Sequence, residues 1–257
     1  MKIRPALPAD VPKVAEIGTL AFADDPSYEH FFPWRSQYPH DFYAYLLHDY
    51  RKMLATPGQV IMVVEADEPG ELDVRDKEAG IRSKMVAYAT FIRSGGGSTE
   101  ELAKWNVDSR CLLFLQETYD SIVTPNRAVS RSALSDFWTQ AYAVHATTSY
   151  DGKLDFKTLA VLPSYQRRGC GEKLLEWAGW RAHEEAIPIF GDATEKGREL
   201  YIRNGAKEIG RVILQEQTVG RDGDSPLVKL PRLETPVMRW DANWLSRERL
   251  GKIIPKS

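Results

Sequence analysis

Cysteine is scarce in this chain. Two are present among 257 residues, Cys111 and Cys170, far apart in sequence. So few argue against a disulfide framework and against a zinc site, and they suit a reducing compartment. Charge of one sign is also lacking: 34 Lys and Arg face 36 Asp and Glu, for a net charge of -2. No global field draws such a protein to nucleic acid or to an anionic membrane, and neither is expected as a partner. Long apolar runs are missing too. No stretch approaches the roughly 20 apolar residues that a membrane helix requires. The opening "MKIRPALPADVPKVAEIG" is broken by charges and prolines and has no apolar signal-peptide centre. The expectation is a soluble, cytoplasmic protein. His30, His40, His48, His145 and His183 show no metal-ligand spacing, so no metal is expected. There is no serine nucleophile elbow and no internal repeat. The oligomeric state stays open.

What is present is an ordinary globular composition, 43% hydrophobic and 27% charged, long enough to bury a core without staples. "KIRPA" at 2–6 suits a short strand. Asp10 can cap a helix whose apolar positions are Val11, Val14, Ile17, Leu20 and Ala21, with Pro12 in its first turn. A stretch dense in aromatics follows, and from Asp41 it has a helical pattern. "QVIMVVEA" at 59–66 and "KMVAYATFI" at 84–92 suit strands joined as a hairpin by a charged loop at 67–83. Residues 93–99, "RSGGGST", suit a flexible link. Residues 100–150 lack strand alternation and look mostly helical, with Leu112, Leu113 and Leu115 as their apolar cluster. They are taken as an insertion. Strands are expected at 153–161, 187–193, 207–214 and 235–240. Helices are expected at 171–186, with Leu174, Leu175, Ala178 and Ala182 facing inward, and after Thr194, which can cap a helix that stops at Gly205.

The most informative stretch is "LAVLPSYQRRGCGEKLLEWA" at 159–178. It runs from a strand through two arginines and two glycines into an amphipathic helix. Glycines at such a turn let backbone N–H groups converge on one concavity, and the helix start adds unpaired N–H groups and a positive dipole end. Phosphate suits that place, and Arg167 and Arg168 suit a diphosphate. A Walker A loop would end in Gly-Lys-Ser/Thr, but Gly171 precedes Glu172. A dinucleotide fingerprint would need a third glycine, but Leu174 stands there.

At these residues the chain resembles the GNAT superfamily of N-acetyltransferases, and within it fungal members whose first helix runs into an "AFxDDP" segment, here Ala21 to Pro26. Gln166, Arg167, Arg168, Gly169, Cys170 and Gly171 fill the family's main motif without a gap. Leu159, Ala160 and Val161 match the apolar triplet before it, and Tyr201 with Gly205 matches a second motif on a late helix. The resemblance is firm over 153–214 and extends to 1–93. It implies an α/β (α+β) fold: one domain over 1–257, with a mixed, mostly antiparallel sheet flanked by helices, a helical insertion near 94–150 and a cofactor-binding core near 153–214. It also implies that Arg167 to Glu172 hold the pyrophosphate of acetyl-CoA. Leu159–Val161 would splay from the neighbouring strand and pair with the pantetheine arm, with the thioester near the end of that strand. Three positions depart from the family: Thr194 where asparagine is frequent, Gly197 where alanine is, and Ala206 where an aromatic is.

The reaction so implied is acetyl transfer to an amine of a small molecule or peptide, by direct attack. Tyr201 is the candidate acid, because a phenol stays protonated where a thiolate needs a proton. A backbone N–H near Val161 is the candidate oxyanion donor. Asp192 is the candidate base, with helix capping as its other reading, and Glu65 is a weaker choice. Asp24 and Asp25 can face an acceptor cation or form a solvated turn. The aromatics between Tyr28 and Tyr50 divide between core and cleft, and Cys170 suits a structural filler. The alternative from another class is a non-catalytic module that binds or senses acyl-CoA.

Overall fold

The computed structural model describes residues 1–69, 81–95, 126–145, 152–220, 227–246 and 249. The β-branched runs form strands where their patterns place them. Strand β1 (Lys2–Pro5) lies antiparallel on β2 (Gln59–Pro69), and β2 pairs with β3 (Ile81–Ser94) as the expected hairpin. Both hairpin strands run further than their apolar segments, because cross-strand pairing carries charged residues along, from Asp67↔Ser83 out to Pro69↔Ile81. The expected loop is correspondingly shorter, and residues 70–80 lie outside the described ones.

Strand β4 (Lys153–Val161) lies antiparallel on β3. It pairs in parallel with β5 (Ile189–Asp192) through Leu154, Asp155 and Phe156 only. The far side holds β9 (Leu233–Trp240), antiparallel to β5, and β6 (Lys207–Leu214), antiparallel to β9. The seven-strand order is β1-β2-β3-β4-β5-β9-β6. This is the mixed, mostly antiparallel sheet that the sequence led one to expect. The polar link between β6 and β9 holds a two-strand hairpin, β7 (Gln217–Val219) with β8 (Val228–Leu230), which the sequence reading missed. Three-residue strands are too short to show alternation.

Helices cover both faces. Successive strand residues point to opposite sides, and on β3 Tyr88 meets Tyr50 while Phe91 meets Trp177. Tyr50 belongs to α3 (Pro39–Ala55), which packs on α1 (Val11–Ala21). Trp177 belongs to α5 (Cys170–Glu184), which spans β2 to β5 on the other face. Between α1 and α3 lies the short α2 (Pro26–Phe31). Leu174, Leu175, Ala178 and Ala182 are all buried, as their spacing on α5 requires. Of residues 100–150, α4 (Arg131–His145) is described and helical, and it packs on β6. Leu112, Leu113 and Leu115 lie outside the described residues.

Two details differ from expectation. Asp10 does not cap α1 with its side chain; its carboxylate turns back to accept from the Leu7 N–H at 2.7 Å and from Arg4 at 2.6 Å. Leu20 is half exposed, because the inward stripe of α1 is complete with Val11, Val14, Ala15, Ile17 and Gly18.

Candidate functional site

Strand β4 is bulged. Thr90 faces Thr158 and Phe91 faces Phe156, so Lys157 has no partner on β3. Such an extra residue bends a strand and raises its twist. On its other side β4 loses β5 at the same place, after the Phe156↔Gly191 pair. The two strands therefore part, and the β5-side edge of Lys157–Val161 has no strand partner among the described residues. Leu159, Ala160 and Val161 still pair with Ala89, Tyr88 and Ala87 on β3.

At the end of β4 the chain makes a 3₁₀ turn (Pro163–Tyr165) and enters the glycine–arginine loop. Gln166 is extended and donates from Nε2 to the Val161 carbonyl at 3.3 Å, fastening the loop to the strand. Arg167 (φ 62) and Gly169 (φ 84) both adopt left-handed backbone. Gly169 occupies the N-cap position of α5 and has no side chain with which to cap the helix. The first-turn N–H groups have no partner within the helix and stand at the positive end of a helix of 15 residues. Gln166, Arg167, Arg168 and Gly169 are exposed, with the Arg168 guanidinium 4.9 Å from the centre of the Tyr165 ring. Glu172, in the first turn, pairs with Arg249 at 3.2 Å.

Two motif residues turn the other way. A Cβ on Gly169 would meet nothing within 4 Å, but one on Gly171 would stand 3.0 Å from Leu200 and 3.5 Å from Leu159. Gly171 therefore lets α5 pack closely on β4 and on α6 (Glu195–Arg203), and only its backbone can serve a ligand. Cys170 is buried, its Sγ 3.7 Å from the Tyr165 carbonyl, and burial pushes its thiol up. Its side chain is the expected filler.

Tyr201 comes to the parting of β4 and β5 from α6. Thr194 caps that helix through the Gly197 N–H at 3.1 Å, and Gly205 (φ 84) follows its end, both as the sequence indicates. A long side chain on a helix leans towards the N-terminus, and the Tyr201 ring accordingly lies back over Gly197, where a Cβ would be 3.6 Å from the hydroxyl. The ring is held edge-on between Phe156 of β4, at 5.4 Å, and Trp240 of β9, at 5.2 Å. Burial, helped by the charges of Asp192 and Asp25, holds its phenol well above the ordinary range. It stays protonated at every physiological pH.

Asp192 is the last residue of β5, and its charge is felt by both Tyr201 and Lys157. The structure thus brings Asp192 and Tyr201 to one place. Glu65 lies elsewhere: it is on β2, two strands from β4, and pairs with Arg4 at 2.6 Å. Asp25 is buried and caps α2, accepting from the N–H groups of Ser27 at 2.9 Å and Tyr28 at 3.3 Å. Burial pushes its carboxyl up against those bonds. Asp24 is exposed and meets Lys196 of α6 at 3.2 Å. Among the aromatics, Phe31, Phe32, Trp34, Phe42 and Tyr50 are core, while Tyr28 and Tyr45 are only partly covered. The sequence reading passed over Lys157, Trp138 and Tyr142, which meet on this face, with Lys157 Nζ 3.8 Å from the Trp138 ring centre. The alternation of "KLDFKTLAV" conceals the bulge, and α4 lies in the stretch treated as an insertion.

No family model matches this chain. It is 23% identical over 215 residues to a protein named acetyltransferase from Stachybotrys chartarum, covering 84% of each chain. Among solved structures it is similar to the histone acetyltransferase HPA2 and related acetyltransferase from Corynebacterium glutamicum, with a TM-score of 0.51, 18% identity, and 93% and 94% of the two chains covered. It is also similar to the Drosophila melanogaster polyamine N-acetyltransferase, with a TM-score of 0.50, 14% identity, and 93% and 99% covered. Among the described residues no helix is long and apolar enough to cross a membrane, and no His, Cys, Asp and Glu cluster suits a metal.

Proposed function

We infer, from the premise that this chain has the GNAT acetyltransferase fold, that it moves an acetyl group from acetyl-CoA to an amine of a small molecule or peptide. One observation carries the reading: the glycine-led start of α5 and the edge of β4 that has no strand partner among the described residues lie at the two ends of one short loop, and Tyr201 stands where β4 leaves β5. These residues fit acetyl-CoA, whose thioester supplies an activated acyl group and a good leaving thiolate. The N–H groups at the start of α5, with Arg167 and Arg168, would hold its diphosphate. The free edge of Leu159–Val161 would pair with its extended arm, and a backbone N–H there would stabilise the developing oxyanion. Binding both reactants in one cleft makes the attack effectively intramolecular. Tyr201, held protonated by burial, would donate to the departing sulfur. Asp192, next to it, would favour loss of a proton from the acceptor. We place the protein in the cytoplasm, on its two cysteines, and read 1–257 as one domain.

Replacing Tyr201 by Phe keeps the ring contacts with Phe156 and Trp240 and removes the proton. The expected result is unchanged CoA affinity and a turnover lowered on the order of 10²–10⁴-fold, read as thiol release across a panel of amines. Full activity in this variant refutes the acid role. A wild-type protein that binds CoA and acetylates no amine is a binding module instead.

A further inference from the structure

We propose that Lys157 is a self-acetylation site: its amine takes the acetyl group from bound acetyl-CoA, and the acetyl-lysine lodges against Trp138 and Tyr142. This rests on the acetyl-transfer reading above.

Placement comes first. Lys157 is the bulged residue of β4, at the point where the strand leaves β5. The diphosphate loop follows Val161, and Tyr201 stands at Phe156. An arm running along this edge would therefore bring its acyl end back to the Leu159 end of the edge, away from Val161. Strand rise puts Lys157 about 7 Å before Leu159, within a lysine's reach of an acyl group held there. Its side chain does not trail into solvent. Nζ lies over the Trp138 ring at 3.8 Å and near the Tyr142 ring at 5.7 Å, both from α4. The amine is therefore kept beside the cleft at little entropic cost for an attack.

The surroundings suit a nucleophile. Burial lowers the pKa of this amine against the charges of Asp155 on β4, Asp192 on β5 and Asp49 on α3, while Lys153 works with burial. More of it is neutral than of an exposed lysine. In the step, the Nζ lone pair forms the C–N bond at the acyl carbon. The C–S bond breaks and its electron pair leaves with sulfur, and the proton shed by nitrogen neutralises the thiolate. Acetyl-lysine and CoA are the products, and no further reactant is needed. The product amide is neutral and flat and can stack on the indole face where the amine now lies.

The experiment incubates the full-length protein with acetyl-CoA carrying a heavy-isotope acetyl group and maps the label by peptide mass spectrometry. Expected is a label on Lys157 whose first-order rate does not depend on protein concentration, with exposed lysines such as Lys52 and Lys196 far behind. Lys157→Arg, which keeps the cation, should lose that label. A thermal shift with CoA runs in parallel. A shift with Lys157 unlabelled overturns the proposal and leaves the acetyl-transfer reading intact. Labelling no faster at Lys157 than at exposed lysines overturns it too, as does a rate that rises with protein concentration. The absence of any CoA shift overturns both readings.

Discussion

Residues of one motif can answer to different physical demands, and Gly169 and Gly171 separate them. Gly169 has φ 84 and open space where a side chain would go; Gly171 has an ordinary φ and a Leu200 carbon 3.0 Å from that place. Gly171→Val should therefore destabilise the ligand-free protein, by roughly 1–3 kcal/mol, because it overpacks the seam between α5 and α6. Urea unfolding without CoA reads this directly. A variant as stable as the wild type would mean that Gly171 faces the ligand and not the core. The sequence shows that both positions are glycine at a strand-to-helix turn, and from that alone both look like phosphate contacts. Which way each Cα faces depends on Leu159 and Leu200, one before the loop and one well after it. Lys157 was hidden for a related reason. A bulge is set by the register with β3, and alternation within β4 does not reveal it.

Elements bounded by local chemistry were the legible ones. Strands β4 and β6 begin and end where their patterns do, and α6 starts at Thr194 and stops before Gly205 as its cap and its left-handed glycine dictate. Asp10 shows the limit. It has the right residue type and place to cap α1, but Arg4 and the Leu7 N–H hold its carboxylate, pulling it below the ordinary range against burial. A long-range partner won over a local role. The Thr194 cap carries a prediction for α6. Thr194→Ala removes the acceptor for the Gly197 N–H and should cost about 0.5–2 kcal/mol. Asparagine, the residue frequent at this place in the family the sequence resembles, should restore it, since it caps at least as well. Thermal denaturation of the two variants checks the pair. Equal melting of wild type and Thr194→Ala would show that α6 is held by the packing of Tyr201 and not by its cap.

For the whole molecule, the response to acid depends on where its buried titratable groups lie. His30, on α2, is 1% exposed, and neither ring nitrogen has a hydrogen-bond partner among the described residues. Burial alone lowers its pKa. Below the ordinary imidazole value, about 6.5, the unfolded chain takes up a proton that the folded chain refuses. Stability attached to this group is thus intact above that pH and falls away as the pH drops towards the folded value. The carboxylates act at lower pH. Asp10, Glu208 and Asp241 have lowered pKa values, so their stabilisation is present above the usual carboxylate range and is lost below it. Asp25 and Asp49 are pushed up by burial and work with the opposite sign, penalising the fold as they ionise. The decline from about pH 7 to 5.5 should therefore belong chiefly to His30, ahead of carboxylate protonation. Urea midpoints measured across that range should fall for the wild type and stay flatter for His30→Phe, which fills the same apolar surroundings beside Phe31. Parallel slopes for the two proteins would mean that the imidazole gains a proton without loosening α2, and that the acid response arises elsewhere.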